Sequence, residues 1–126
     1  MSRAGAAALA LAVGGLSACA PKAQAPAPGP LALDCARPFE AQAAAIAAQP
    51  GFTETKSPGE PYRYINAQDG RASYVITLPD APAHPALVRQ VSGPKGQDTT
   101  GCAYGDKPAY EQLFAYLTSL TAARRR

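Results

Sequence analysis

The stretch Ala72-Ser73-Tyr74-Val75-Ile76-Thr77-Leu78 decides the fold. It is rich in β-branched and aromatic residues, and Tyr74, Ile76 and Leu78 alternate with Ser73 and Thr77, the period of two that marks a strand. Just before it, Gln68-Asp69-Gly70 supplies turn chemistry, and Tyr62-Arg63-Tyr64-Ile65-Asn66 is a second run of strand formers. Together they predict a β-hairpin. Beyond the Pro79-to-Pro85 connection, Ala86-Leu87-Val88-Arg89-Gln90-Val91 reads as a further strand, and Phe52 to Lys56, ended by Ser57-Pro58-Gly59, as a short edge strand.

Outside these strands the period becomes helical. A first helix starts at Pro38, a residue favoured in a first turn, and ends before Pro50-Gly51; Phe39, Ala43, Ile46 and Ala47 share one face of it. Asp106 and Pro108 open a second, in which Tyr110, Leu113, Phe114, Leu117 and Leu120 recur at three and four. The expectation is a small single α+β domain over residues 34–121: helix, three or four antiparallel strands, helix, with both helices on one sheet face. Gly93 to Tyr104 reads as a long glycine-containing loop, a kind that often carries function.

The N-terminus has a different character. Arg3 is followed by an uncharged run from Ala4 to Leu16, almost all Ala, Leu, Gly and Val, which is a signal-peptide layout. A spanning helix needs about 20 apolar residues, and this run is diluted by glycine and gives way at Pro21 and Lys22. Its end, Leu16-Ser17-Ala18-Cys19, resembles the lipobox of bacterial lipoproteins. The resemblance implies removal of residues 1–18 and a diacylglycerol on the Cys19 thiol. It also implies the outer membrane, on the periplasmic leaflet, because Ala20 stands where Asp is associated with inner-membrane retention.

Two alternatives stay open, the periplasmic face of the inner membrane and a soluble periplasmic form. Ala18-Cys19-Ala20 and Ala23-Gln24-Ala25 also fit the small-x-small pattern of ordinary signal peptidase. Residues 19–33 read as a tether, in which recurrent proline from Pro21 to Pro30 favours extended geometry reaching about 30 Å.

With Cys19 given to lipid, the remaining two of the three cysteines, Cys35 and Cys102, are expected to form a disulfide in an oxidising compartment. Closing so long a loop stabilises by roughly 4 kcal/mol on the chain-entropy argument. Each cysteine precedes a predicted helix, so the bridge is expected to pin the two helix entries together. Neither has Cys-x-x-Cys spacing, which speaks against a redox pair.

The net charge is +3, and Arg124, Arg125 and Arg126 in the basic tail, residues 122–126, account for the excess. The rest carries no basic field of the kind that binds nucleic acid. Such a tail frays after a helix whose last carbonyls favour cations, or it orients the domain on anionic lipid. Ser92-Gly93-Pro94-Lys95-Gly96 combines Gly and Lys but lacks P-loop spacing, and no Gly-x-Ser-x-Gly elbow occurs. The single histidine, His84, lies between Ala83 and Pro85 and reads as a solvated loop residue, so no metal, cofactor or catalytic triad is expected.

Six tyrosines against three phenylalanines and no tryptophan direct attention to Tyr62, Tyr64 and Tyr104 as candidate binding residues, since tyrosine is common in interfaces. The expected function is that of a lipid-anchored, non-catalytic envelope protein. It binds another envelope component through its sheet or the 93–104 segment. A tethered inhibitor or immunity-type protein against a lytic enzyme is the alternative. Fatty-acid labelling checks the anchor: Cys19→Ser is expected to abolish labelling and release the protein from the membrane fraction, and labelling that persists contradicts the lipobox reading.

Overall fold

The computed structural model describes residues 29–124; the expected signal segment, Cys19, the expected tether as far as Pro28, and Arg125 and Arg126 lie outside the described residues. The order is α1 (Phe39–Ala47), β1 (Phe52–Thr55), β2 (Tyr62–Ala67), β3 (Ala72–Thr77), β4 (Ala86–Gly93), β5 (Gly96–Ala103) and α2 (Lys107–Arg124). The five strands form one antiparallel sheet in chain order, so the chain is a small α+β domain built on a meander. No helix among the described residues is long and apolar enough to cross a membrane.

The β2–β3 hairpin forms where its turn chemistry lies. Gly70 adopts φ 76°, a left-handed conformation that glycine takes without strain. Its N–H donates to the Ala67 carbonyl at 2.9 Å, and the Asp69 carboxylate accepts from the Arg71 N–H at 2.9 Å. The resulting register sets Ile65 opposite Tyr74 and Tyr64 opposite Val75.

The helices lie on opposite faces of the sheet, not on one. α1 packs with Ile65, Tyr74, Ile76 and Leu87, whereas α2 packs through Leu117 with Val75 and Val88. The reason is Val75, which interrupts the alternation: β3 buries apolar side chains on both faces, and each needs a cover. Ile65, Ile76 and Leu87 are essentially inaccessible, each contributing about 1.5–3 kcal/mol of burial. In α1 the buried face is Gln42, Ala43 and Ile46, while Ala47, expected there, is exposed.

The segment expected to be a loop from Gly93 to Tyr104 is largely strand β5. It pairs with β4 from Ala86 opposite Ala103 to Gly93 opposite Gly96, turning through Pro94 and Lys95. Proline costs nothing at a turn position whose N–H no ladder needs. Cys35 and Cys102 are bridged, with Cα atoms 5.3 Å apart. Cys102 sits inside β5, so the bridge ties the entry of α1 to the edge strand and does not join the two helix entries. On the other face Tyr110 of α2 lies over Gly101, where an added Cβ would overlap the tyrosine hydroxyl and approach the Leu87 carbonyl to 2.8 Å.

The N-terminal arm is also fixed. Leu31 and Leu33, counted with the tether on composition, pack against the α1-side core. The Leu31 carbonyl accepts from the Tyr74 hydroxyl at 2.6 Å, and the Pro30 carbonyl accepts from Arg89 at 3.0 Å. The disulfide thus holds an arm, a helix and an edge strand together. Replacing both cysteines, Cys35→Ser with Cys102→Ser, is expected to lower unfolding free energy by about 2–4 kcal/mol in urea titrations. An unchanged midpoint contradicts that role.

Candidate functional site

The α2 face of the sheet changes character along the strands. One cross-strand row, Tyr64, Val75, Val88 and Gly101, meets Leu113, Phe114 and Leu117 of the helix or supports Tyr110. The next row on the same face is Thr53, Asn66, Ser73, Gln90 and Thr99, polar across all five strands. No apolar helix surface can close over such a row without stranding its hydrogen-bonding groups. Among the described residues the helix meets that row through Gln90, whose side-chain amide donates to the Leu117 carbonyl and to the Thr121 hydroxyl, each at 3.1 Å.

A groove of about 750 Å³ results. Its floor is Asn66, Ser73 and Gln90, its aromatic end is Tyr64, and Leu117 and Leu120 of α2 form one wall. The β2–β3 turn contributes Arg71, and the β4–β5 hairpin contributes Ser92, Pro94 and Gln97. Leu120, placed on the core stripe by its spacing, is 40% exposed at this edge. Among the described residues, Arg71 is the only charged side chain lining the groove.

Of the three tyrosines, Tyr64 lines the groove and Tyr62 packs beside it with ring centroids 6.4 Å apart. Tyr104 lies on the other face as part of the α1-side core. Its hydroxyl donates to the Arg37 carbonyl at 2.8 Å and accepts from the Gln42 amide, whose oxygen accepts from the Asp34 N–H at 2.8 Å. Tyr104 therefore latches α1 and its entry loop to the sheet. The floor of the groove, Asn66, Ser73 and Gln90, was not among the residues marked by sequence, because a cross-strand row exists only once register is known.

His84 is half-buried, not solvated. Its Nδ1 donates to the Thr77 carbonyl at 3.1 Å, and its ring meets Phe39 edge-on at 5.2 Å. Thr77, fully buried, in turn accepts from the Ala86 N–H at 2.8 Å. These contacts place the histidine in the connection between β3 and β4. No group of three or more His, Cys, Asp or Glu suited to a metal occurs among the described residues. On the α1 face a smaller hollow of about 350 Å³ is walled by Arg89, Val91, Pro94, Lys95 and Asp98.

Tyr64 is held neutral by its surroundings. Its hydroxyl donates to Glu60 at 2.9 Å, and burial, followed by that carboxylate, pushes its pKa up from 10.0 to about 12. Burial raises Tyr110 as well. The stability gained by keeping the Tyr64 phenol protonated is complete below pH 10 and is lost as pH rises toward 12. Alkaline unfolding followed by circular dichroism is expected to lose part of its pH 10–12 component in Tyr64→Phe; an identical profile contradicts the assignment.

No protein-family model, no curated protein and no solved structure matches this chain.

Proposed function

We propose that the chain is a lipid-anchored protein of the bacterial envelope that binds another envelope component, without catalysis, in the groove between α2 and the sheet. The observation that carries this reading is the meeting of two elements marked by sequence, the sheet with Tyr64 and the 93–104 segment, in one concave site. Its volume falls in the range of small-molecule and side-chain binding clefts.

The lining supports binding over chemistry. Its polar groups are mostly amides and hydroxyls, and among the described residues the one charged group, Arg71, stands at a turn. General acid–base work needs a titratable group poised in the site, and Tyr64, pushed up to about 12, is poorly suited to it.

The lipobox resemblance supplies the address. Two or more acyl chains anchor a protein stably without help from its surface, so the domain is free to present the groove away from the membrane. The tether adds reach, and the fixed arm from Pro30 sets where it leaves the domain.

A photo-reactive group that inserts into C–H bonds, placed at Ser92 in living cells, tests this directly. Covalent adducts with an envelope component are expected from Ser92 and not from Glu40 on the opposite helix. Adducts confined to Glu40, or none from either position, contradict the proposal, and adducts formed only with an added lytic enzyme favour a tethered inhibitor.

A further inference from the structure

The polar row is a ladder of uncharged hydrogen-bonding groups. Asn66 faces Ser73, and Ser73 faces Gln90, at the interstrand spacing of about 4.8 Å. That spacing is comparable with the length of one sugar ring. Asn66, whose nitrogen donates once to the Thr55 hydroxyl at 3.3 Å, still offers a donor and an acceptor together, the geometry that pairs with neighbouring hydroxyls on a ring, and Gln90 offers its side-chain oxygen as an acceptor. Ser92 and Gln97 continue the supply toward the hairpin.

Much of this capacity is unspent. Among the described residues, the side chains of Ser73, Ser92 and Gln97 make no hydrogen bond to protein, and the Gln90 amide commits only its nitrogen. Tyr64 stands in the adjacent row, two residues from Asn66 on β2, its ring oriented by the Glu60 hydrogen bond and by packing against Tyr62. An aromatic face fixed in this way suits the apolar C–H face of a pyranose.

Charge narrows the ligand further. Among described side chains lining the groove, Arg71 is the only ionised group, which gives a nucleic acid or a polyphosphate little to bind. An extended peptide would find most of its gain in backbone pairing at a sheet edge, whereas this site lies on a sheet face beside a helix.

We infer that the groove binds a saccharide chain, with Asn66, Ser73, Gln90 and Gln97 reading ring hydroxyls and Tyr64 stacking against a ring face. The inference rests on the proposed envelope-binding reading and names its ligand class. The hollow holds a short oligosaccharide, and the open side above Leu120 lets a longer chain continue past it.

Isothermal titration of the full-length protein with chitotetraose and with cellotetraose, and with tetraglycine as a neutral control, tests it. Binding of at least one saccharide is expected. Ser73→Val and Gln97→Ala should each weaken it about fivefold, as the loss of one neutral hydrogen bond. Tyr64→Ala, which removes the ring, should weaken it about tenfold. Binding of a saccharide that none of these variants alters would overturn the assignment to this groove. Silent saccharides together with Ser92 crosslinks to a protein overturn the inference alone. Silent saccharides and no crosslinks from the groove overturn the envelope-binding reading as well.

Discussion

Two-sided burial of the central strands is the constraint on which the rest of the structure depends. Tyr74, Ile76 and Leu87 face one way and Val75 and Val88 the other, all nearly or wholly inaccessible. A sheet with apolar side chains on both faces cannot leave either set to water, so its helices must separate. α1 is short and alanine-rich, with a thin apolar stripe, and it covers its face only with help. The arm from Pro30 to Leu33, the Gln42–Tyr104 pair and the Cys35–Cys102 bridge supply that help. The same bridge secures β5, a polar edge strand with little apolar burial of its own.

On the opposite face the cover is incomplete for a chemical reason. Apolar residues extend along the sheet as far as the row of Tyr64, Val75 and Val88, and then give way to Asn66, Ser73 and Gln90. Leu117 marks the boundary as the only buried residue of α2 among those described. Past it the helix is held by Gln90 and stands beside the polar row, which leaves the groove. The site is therefore a consequence of sequence placed where a core would otherwise continue.

Much of the fold was legible in the sequence because its signals are local. Gln68-Asp69-Gly70 marked the central hairpin, the spacing of Tyr110, Leu113, Phe114 and Leu117 marked α2, and two cysteines outside the N-terminal segment marked the disulfide. β5 was not legible, because Gln97-Asp98-Thr99-Thr100 between glycines lacks apolar alternation and is a strand through its pairing with β4. The separation of the helices was hidden in Val75, one apolar residue out of phase. The site was half legible. Tyr64 stood out by type, but Tyr104 resembled it only in type and serves as a latch, while the floor of the groove depends on a register no local pattern encodes.

The central claim is that α2 covers the apolar rows and leaves the polar row open. Solvent paramagnetic relaxation measured by NMR tests this most directly, since a soluble probe reaches only exposed protons. The account predicts strong enhancement at the Ser73, Ser92 and Gln97 side chains and weak enhancement at Val88, Ile76 and Leu87. Ser73 shielded as fully as Val88, with α2 lying across the row, would contradict it.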